Sequence, residues 1–240
     1  MPNTPFFGYF QKMSISRNIV GRAARRLGLI PRPMPAHFIF DRAHAEETRR
    51  RDELAEYDEH LAVYGRHFAS VPRNARPFSV LDVGCGTGRY FRFFADADLV
   101  VGLDPSTEML KQAQCAVGVE TLRRPPVLVI GKTDDIPLLP GTFDLVYCIG
   151  VLGQLVPISK AQLEYLLKFC RKGGTAILSI LADKADTKGR AKHLFCPATD
   201  AQIRAAIADV QTVNCTLSEA TFELPTIGVK ETFHIISLIH

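Results

Sequence analysis

An aspartate followed by three glycines at alternate positions, in Asp82-Val83-Gly84-Cys85-Gly86-Thr87-Gly88, is the stretch whose residue types and spacing suit a chemical task. Glycines permit unusual backbone angles and, lacking side chains, let a ligand lie against the backbone where a helix begins. A carboxylate two positions before the first glycine repels a pyrophosphate and attracts an ammonium group. A second acid, Asp104, closes the apolar run Leu99-Val100-Val101-Gly102-Leu103. It falls about 20 residues after the first glycine, where a doubly wound nucleotide site hydrogen-bonds a ribose diol. The two acids and the glycines together suit a nucleotide-type ligand that carries a cationic group.

The elements that must position these residues follow from the pattern around them. Strand one is expected over Ser79 to Val83, then a helix from about Gly86 carrying Tyr90, Phe91, Phe93 and Phe94. Strand two runs from Leu99 to Leu103, and a helix capped by Ser106 follows it. Strands three, four and five are expected at Val127 to Ile130, Phe143 to Gly150 and Thr175 to Leu181, with a helix over Lys160 to Cys170. Thr199 or Asp200 caps a helix through Ala208, and Val210 to Leu217 and Phe233 to Ile239 form the last two strands. Alternating strands and helices predict an α/β, doubly wound, Rossmann-like parallel sheet. Upstream, residues 14–29 form a short basic helix, and Pro31, Pro33 and Pro35 mark a linker. One long helix is expected from about Asp41 to Phe68, with Leu54, Tyr57, Leu61, Tyr64 and Phe68 on one face. The charge run from Arg49 to Glu59 reads as its solvated face. Residues 1–76 are thus a basic arm and helical cap, and residues 77–240 are the main domain.

Leu81 to Gly88, Asp104, Phe143-Asp144 with Val151-Leu152-Gly153-Gln154, and Lys172-Gly173-Gly174 occur in the order of the motifs of one family. The chain resembles the class I S-adenosylmethionine-dependent methyltransferases. The resemblance implies a seven-stranded, mostly parallel sheet with an antiparallel edge strand, and S-adenosylmethionine as the cofactor. It implies cofactor contacts from Asp82, Gly84, Cys85, Gly86, Gly88, Asp104, Pro105, Met109, Thr133, Asp134 and Ile149, with the ribose hydroxyls at Asp104. Two positions depart from the family pattern. Where an adenine-binding Asp is common stands Lys132, which has no acceptor. Thr133 and Asp134 take over that role, with Asp135, or backbone and apolar contacts alone, as alternatives. Where a histidine often follows strand four stands Gln154, which cannot abstract a proton. The catalytic group is thereby unassigned, His193 and Gln154 being the candidates. The Asp/Asn-Pro-Pro-Tyr/Phe motif of enzymes that methylate exocyclic base amines is absent, which disfavours nucleic-acid adenine as acceptor.

The implied activity is methyl transfer to an oxygen or nitrogen of a small molecule. The alternatives are a non-catalytic S-adenosylmethionine-binding module and an NAD(P)-dependent oxidoreductase, against which the placement of Asp82 counts. The net charge of +4 is concentrated in residues 1–40, which carry Lys12, Arg17, Arg22, Arg25, Arg26 and Arg32 and no acid. No nucleic-acid partner is therefore expected, although an anionic partner suits the arm. No apolar run approaches the roughly 20 residues that span a bilayer, and no secretory signal is seen. Cys85, Cys115, Cys148, Cys170, Cys196 and Cys215 show no paired spacing, so reduced thiols, a cytoplasmic location and no metal site are expected. His234 lies in a strand and reads as structural, while His60 and His67 lie on the cap helix.

Overall fold

The structure, a computed structural model, describes residues 40–73, 77–154, 156–183, 196–208, 210, 212, 214–224 and 229–240. The basic helix at 14–29 and the proline linker lie outside the described residues. Seven strands form one sheet: β1 (Ser79–Val83), β2 (Leu99–Asp104), β3 (Val127–Ile130), β4 (Phe143–Leu152), β5 (Cys170–Leu181), β6 (Asn214–Leu224) and β7 (Val229–Ile239). Their order is β3-β2-β1-β4-β5-β7-β6. β1 pairs in parallel with both β2 and β4, so the chain reverses direction across the sheet there. Ligands of open α/β sheets bind outside the strand carboxyl ends at such a switch point. β7 is antiparallel to β5 and to β6, which makes the β6–β7 hairpin the sheet edge.

Both faces of the sheet are covered. On one, Val80, Tyr147, Ile177 and Ile235 join Phe91, Phe94, Tyr64 and Phe68 in a buried cluster. On the other, Leu81, Val146, Leu178 and Ile236 meet Leu163, Leu166 and Ile203 of the helices that follow β4 and β5. Strands buried on both faces must be apolar at successive positions, which is how β1 and β4 read. Each fully buried Leu or Phe side chain contributes about 1.5–3 kcal/mol.

The segment after β1 differs from the sequence expectation. No α-helix starts at Gly86; the chain makes turns and a single 3-10 helix, Phe91–Phe93. Phe91 donates to the Gly88 carbonyl (3.0 Å) and Phe94 to the Phe91 carbonyl (3.0 Å). The three-residue repeat aligns Phe91 and Phe94, both fully buried, on the core side.

The expected long cap helix is two helices, α1 (Arg42–Arg51) and α2 (Asp58–Ala69), joined through the 3-10 turn Ala55–Tyr57. Arg49, Arg50 and Arg51 fill the last turn of α1, and Asp58 and Glu59 the first turn of α2. Each charge complements its helix terminus. Leu54 faces solvent, whereas Tyr57, Leu61, Tyr64 and Phe68 are buried. The charge run is not wholly solvated, for Asp52, at the end of α1, is 3% exposed. Its carboxylate accepts from the Thr87 hydroxyl and, at 2.5 Å, from Arg89 Nε. Arg89 also stacks 4.3 Å over the Tyr57 ring. Burial opposes the Arg89 charge, but Asp52, Tyr90 and Tyr57 outweigh it and hold the guanidinium pKa above its ordinary value. His60 of α2 meets the Tyr90 hydroxyl through Nδ1 at 3.2 Å. Burial, reinforced by Arg89, pushes His60 down to about 3 and keeps it neutral.

The cap is therefore latched to the glycine turn by Thr87, Arg89 and Tyr90. Asp52→Ala leaves Arg89 without its carboxylate in a largely buried site and is expected to cost about 3 kcal/mol in urea unfolding. Thr87→Val removes one hydrogen bond to a charge and is expected to cost about 1.5 kcal/mol. An Asp52→Ala midpoint equal to that of the wild type would rule out the latch.

Candidate active site

The glycine turn is held at both ends. Gly84 and Cys85 both donate their backbone N–H to the Leu103 carbonyl, at 2.7 and 2.9 Å, and Gly88 donates to the Cys85 carbonyl at 2.9 Å. Gly84, Gly86 and Gly88 have φ of 77°, 53° and 76°, the left-handed region that favours glycine. Their surroundings differ. A Cβ on Gly84 would stand 2.4 Å from Val151 Cγ2, and one on Gly88 would meet Phe91 at 2.7 Å, so close packing demands both. A Cβ on Gly86 meets nothing within 4 Å. Bare backbone at Gly86 thus faces open space.

Two carboxylates flank that space. Asp104, at the end of β2, accepts from Gly86 N–H at 3.0 Å through Oδ2 and from Ser106 N–H at 2.8 Å through Oδ1. Each oxygen keeps lone-pair capacity for a further donor. Burial pushes the Asp104 carboxyl up to about 6 against the pull of these two N–H groups. Asp82, near the end of β1, is 2% exposed, and its Oδ2 is buried without a hydrogen-bond partner. Burial raises its pKa well above the usual carboxylate range; the neighbouring Tyr147 lowers it and the Asp104 charge adds to the rise. A cation placed beside Asp82 would satisfy the oxygen and restore the charged form. An orphaned buried carboxylate oxygen and an open glycine fit a ligand that brings its own positive charge.

The remaining expected contacts lie around this end of the sheet. α3 (Thr107–Ala113) starts after Asp104 and is capped by Ser106, whose Oγ accepts from Met109 N–H at 3.2 Å and donates to the Phe40 carbonyl at 2.8 Å. Met109 is buried and Pro105 half-buried. The loop after β3 is tied back by Gly131 N–H to the Asp104 carbonyl at 3.3 Å. In that loop Thr133 is buried, and its carbonyl accepts from Gln162 Nε2 of α4 (Lys160–Leu167) at 2.8 Å, while Asp134, Asp135 and Lys132 are exposed. Ile149 is buried near the end of β4, and Gly150 N–H donates to Ser179 Oγ at 3.0 Å. Gln154 is half-buried, with its carbonyl accepting from Cys196 N–H at 3.2 Å. His193 lies outside the described residues.

Three further groups were not legible in the motifs. Tyr147 lies beside Asp82 in the β1–β4 register, and its buried hydroxyl approaches that carboxylate without completing a hydrogen bond. The Tyr64 hydroxyl of α2, near Ser179 and Glu231, is also buried without one. With the Asp52 latch, these bring the cap to the same strand ends as the glycine turn. Tyr64 shows as an apolar-face residue in sequence, and only the sheet register puts its hydroxyl beside β5 and β7.

Residues 80–174 match the family model of a methyltransferase domain. Over 107 residues the chain is 33% identical to a phosphatidylethanolamine N-methyltransferase of Cereibacter sphaeroides, covering 44% of this chain and 51% of that protein. It is 33% identical over 108 residues to a malonyl-[acyl-carrier protein] O-methyltransferase of Pseudescherichia vulneris, covering 45% of this chain and 40% of that one. It is 34% identical over 126 residues to a tRNA U34 carboxymethyltransferase of Shewanella frigidimarina, covering 50% of this chain and 36% of the relative. The chain thus spans about half or less of the length of these relatives. Among solved structures, Haemonchus contortus phosphoethanolamine N-methyltransferase 2 in complex with S-adenosyl-L-methionine superposes with a TM-score of 0.64 at 12% identity, covering 87% of this chain and 60% of that chain. The YcgJ protein of Bacillus subtilis gives a TM-score of 0.54 at 12% identity, covering 75% and 97%. Such identities speak for the fold, and the matched motifs speak for the ligand. Residues 80–174 are thus similar to a methyltransferase domain, and the fold and motifs around them are like those of the class I S-adenosylmethionine-dependent methyltransferases, whose cofactor is S-adenosylmethionine.

Proposed function

We propose that the protein transfers the methyl group of S-adenosylmethionine to an oxygen or nitrogen of a small-molecule acceptor. The observation that carries this reading is the orphaned Oδ2 of Asp82 opposite the Asp104 carboxylate, with the open backbone of Gly86 beside them. Asp82 pairs with the ammonium group, and Asp104 accepts from the ribose hydroxyls. Gly84, Cys85, Gly86 and Gly88 shape the turn on which the ligand rests. Pro105, Met109 and Ile149 supply apolar surface, and Thr133 and Asp134 flank the adenine. When bound, the cofactor supplies a methyl on a sulfonium, an intrinsically good leaving group. The protein's own contribution is alignment and exclusion of water.

Residues 1–76 act in this reading as arm and cap, with α2 over the acceptor, and residues 77–240 as the cofactor domain. Gln154 cannot serve as a base, which favours acceptors that need none, such as a carboxylate or a neutral amine. The N- and O-methyltransferases among the relatives support such acceptors. Relatives named for tRNA and rRNA define the rival acceptor. With cofactor carrying a tritiated methyl, label is expected in a ribonuclease-resistant small-molecule fraction of cell extract. Label confined to RNA would overturn the acceptor class, and no transfer despite cofactor binding would indicate a binding module.

The ionised form of Asp104 is the one that accepts ribose hydroxyls. S-adenosylhomocysteine affinity should therefore fall as pH drops through about 6, approaching tenfold per pH unit below it. Without ligand the sign reverses: the folded-state value exceeds the unfolded one, near 3.9, so this carboxyl's stabilising contribution is lost as pH rises from about 4 through 6. Calorimetry on Asp104→Asn should show binding weakened by about 1.5–3 kcal/mol and the pH dependence removed.

Gly86→Ala separates binding from folding. Its left-handed backbone should cost about 1–2 kcal/mol of stability, because a Cβ there meets no neighbour. S-adenosylhomocysteine affinity should fall at least about tenfold through contact with the ligand, equivalent to ~1.4 kcal/mol. Gly84→Ala, driven against Val151, should show the larger loss in melting temperature. Unchanged affinity in Gly86→Ala would place the ligand elsewhere.

A further inference from the structure

We propose that Asp200, Glu219 and His234 form a divalent-metal site of the zinc type that joins α5 (Asp200–Ile207) to the β6–β7 hairpin. Their ligand atoms lie within 4.8 Å of one another. His234 Nε2 is 2.9 Å from Asp200 Oδ1 and 3.9 Å from Glu219 Oε2. Metal–ligand bonds of roughly 2.0–2.2 Å separate neighbouring ligands by roughly 3.0–3.5 Å, a spacing the two distances bracket. A small movement of either exposed carboxylate completes the coordination.

The state of the imidazole also points to a ligand. His234 is 4% exposed, and its Nε2 is buried without completing a hydrogen bond despite the short approach to Asp200. Asp200 already sets a carboxylate beside this atom but off hydrogen-bond geometry, and an ion held between the two would satisfy both. One imidazole nitrogen and two carboxylates suit zinc or a similar first-row ion, whereas calcium and magnesium favour all-oxygen sets. Asp200 and Glu219 are exposed, which leaves room for water ligands and an entry path.

The three residues stand on rigid elements. Glu219 and His234 oppose each other directly in the antiparallel β6–β7 register. Asp200 is the first residue of α5, whose start is fixed by the reciprocal capping box of Thr199 and Gln202. Ala198 donates to the Leu181 carbonyl at 3.0 Å and accepts from Asp183 N–H at 3.1 Å, tying the lead into α5 to the end of β5. His234 shares its strand face with Ile236 and Leu238, whereas the cap helix α2 packs with Phe233 and Ile235 on the other face. The ion would fasten the sheet edge away from the glycine turn.

The test uses the full chain, stripped with chelator, loaded with Zn²⁺ and desalted. Elemental analysis should give about one zinc per chain, and Co²⁺ loading should give visible d–d absorption. Melting temperature should rise with Zn²⁺. In the double variant Asp200→Asn/Glu219→Gln, which alters only exposed side chains, stoichiometry should fall towards zero. Circular dichroism and S-adenosylhomocysteine affinity should stay those of the wild type. His234→Ala should behave likewise if it folds. Wild-type protein that takes up no metal would reduce the cluster to a His–Asp ion pair and overturn the site. Full stoichiometry in the double variant would assign the metal to other histidines or cysteines and overturn it equally.

Discussion

One carbonyl organises the glycine-turn end of the sheet. Leu103 O accepts from both Gly84 and Cys85, so the turn leaving β1 is bonded to the end of β2 rather than to a helix of its own. That pair of bonds requires the backbone to turn sharply at Gly84, which positive φ allows and the Val151 side chain enforces. It also carries Gly86 to Asp104, and it leaves Asp82 behind the turn, shut away from water. The position of both carboxylates is therefore a consequence of how β1 leaves the sheet.

Burial then sets their chemistry. Both acids are desolvated at neighbouring strand ends, the Asp104 charge disfavours that of Asp82, and Asp82 has the further penalty of an oxygen with no completed hydrogen bond. Such a site is unfavourable alone and favourable with a cationic, hydroxyl-bearing ligand in place. The fold holds this arrangement because the cost is spread over a core buried on both faces of the sheet.

The cap reaches the same point by a charge contact. Asp52 turns inward from the end of α1 to receive Thr87 and Arg89, and the chain breaks its helix there to allow it. α2 then lays Tyr64 and Phe68 against Tyr90, Phe94 and Tyr147. The cap and the glycine turn are in this way held by shared contacts. At the far edge, α5 and the β6–β7 hairpin meet through His234 and two acids, while the other face of the hairpin meets α2 through Phe222 and Phe233.

The sequence alone determined the elements whose signals are local. Alternating apolar runs marked the strands, the glycine spacing marked the turn, and Asp82 and Asp104 stood out because each ends or nearly ends an apolar run. Caps at Ser106 and Thr199 were equally readable, since a capping side chain bonds only three residues ahead. The break between α1 and α2 had a local signal too, in Arg49–Arg51 followed by Asp58–Glu59, but the apolar spacing across it favoured one helix. What only the tertiary structure decided are contacts between residues far apart in the chain: Asp52 with Arg89, Asp82 with Tyr147, and Asp200 and Glu219 with His234. The physical reason is that helical and strand periods place a residue on a face, whereas sheet order and register decide which other face it meets. A charge that looks solvated by its neighbours in sequence can thus be desolvated by a segment that sequence spacing does not reveal.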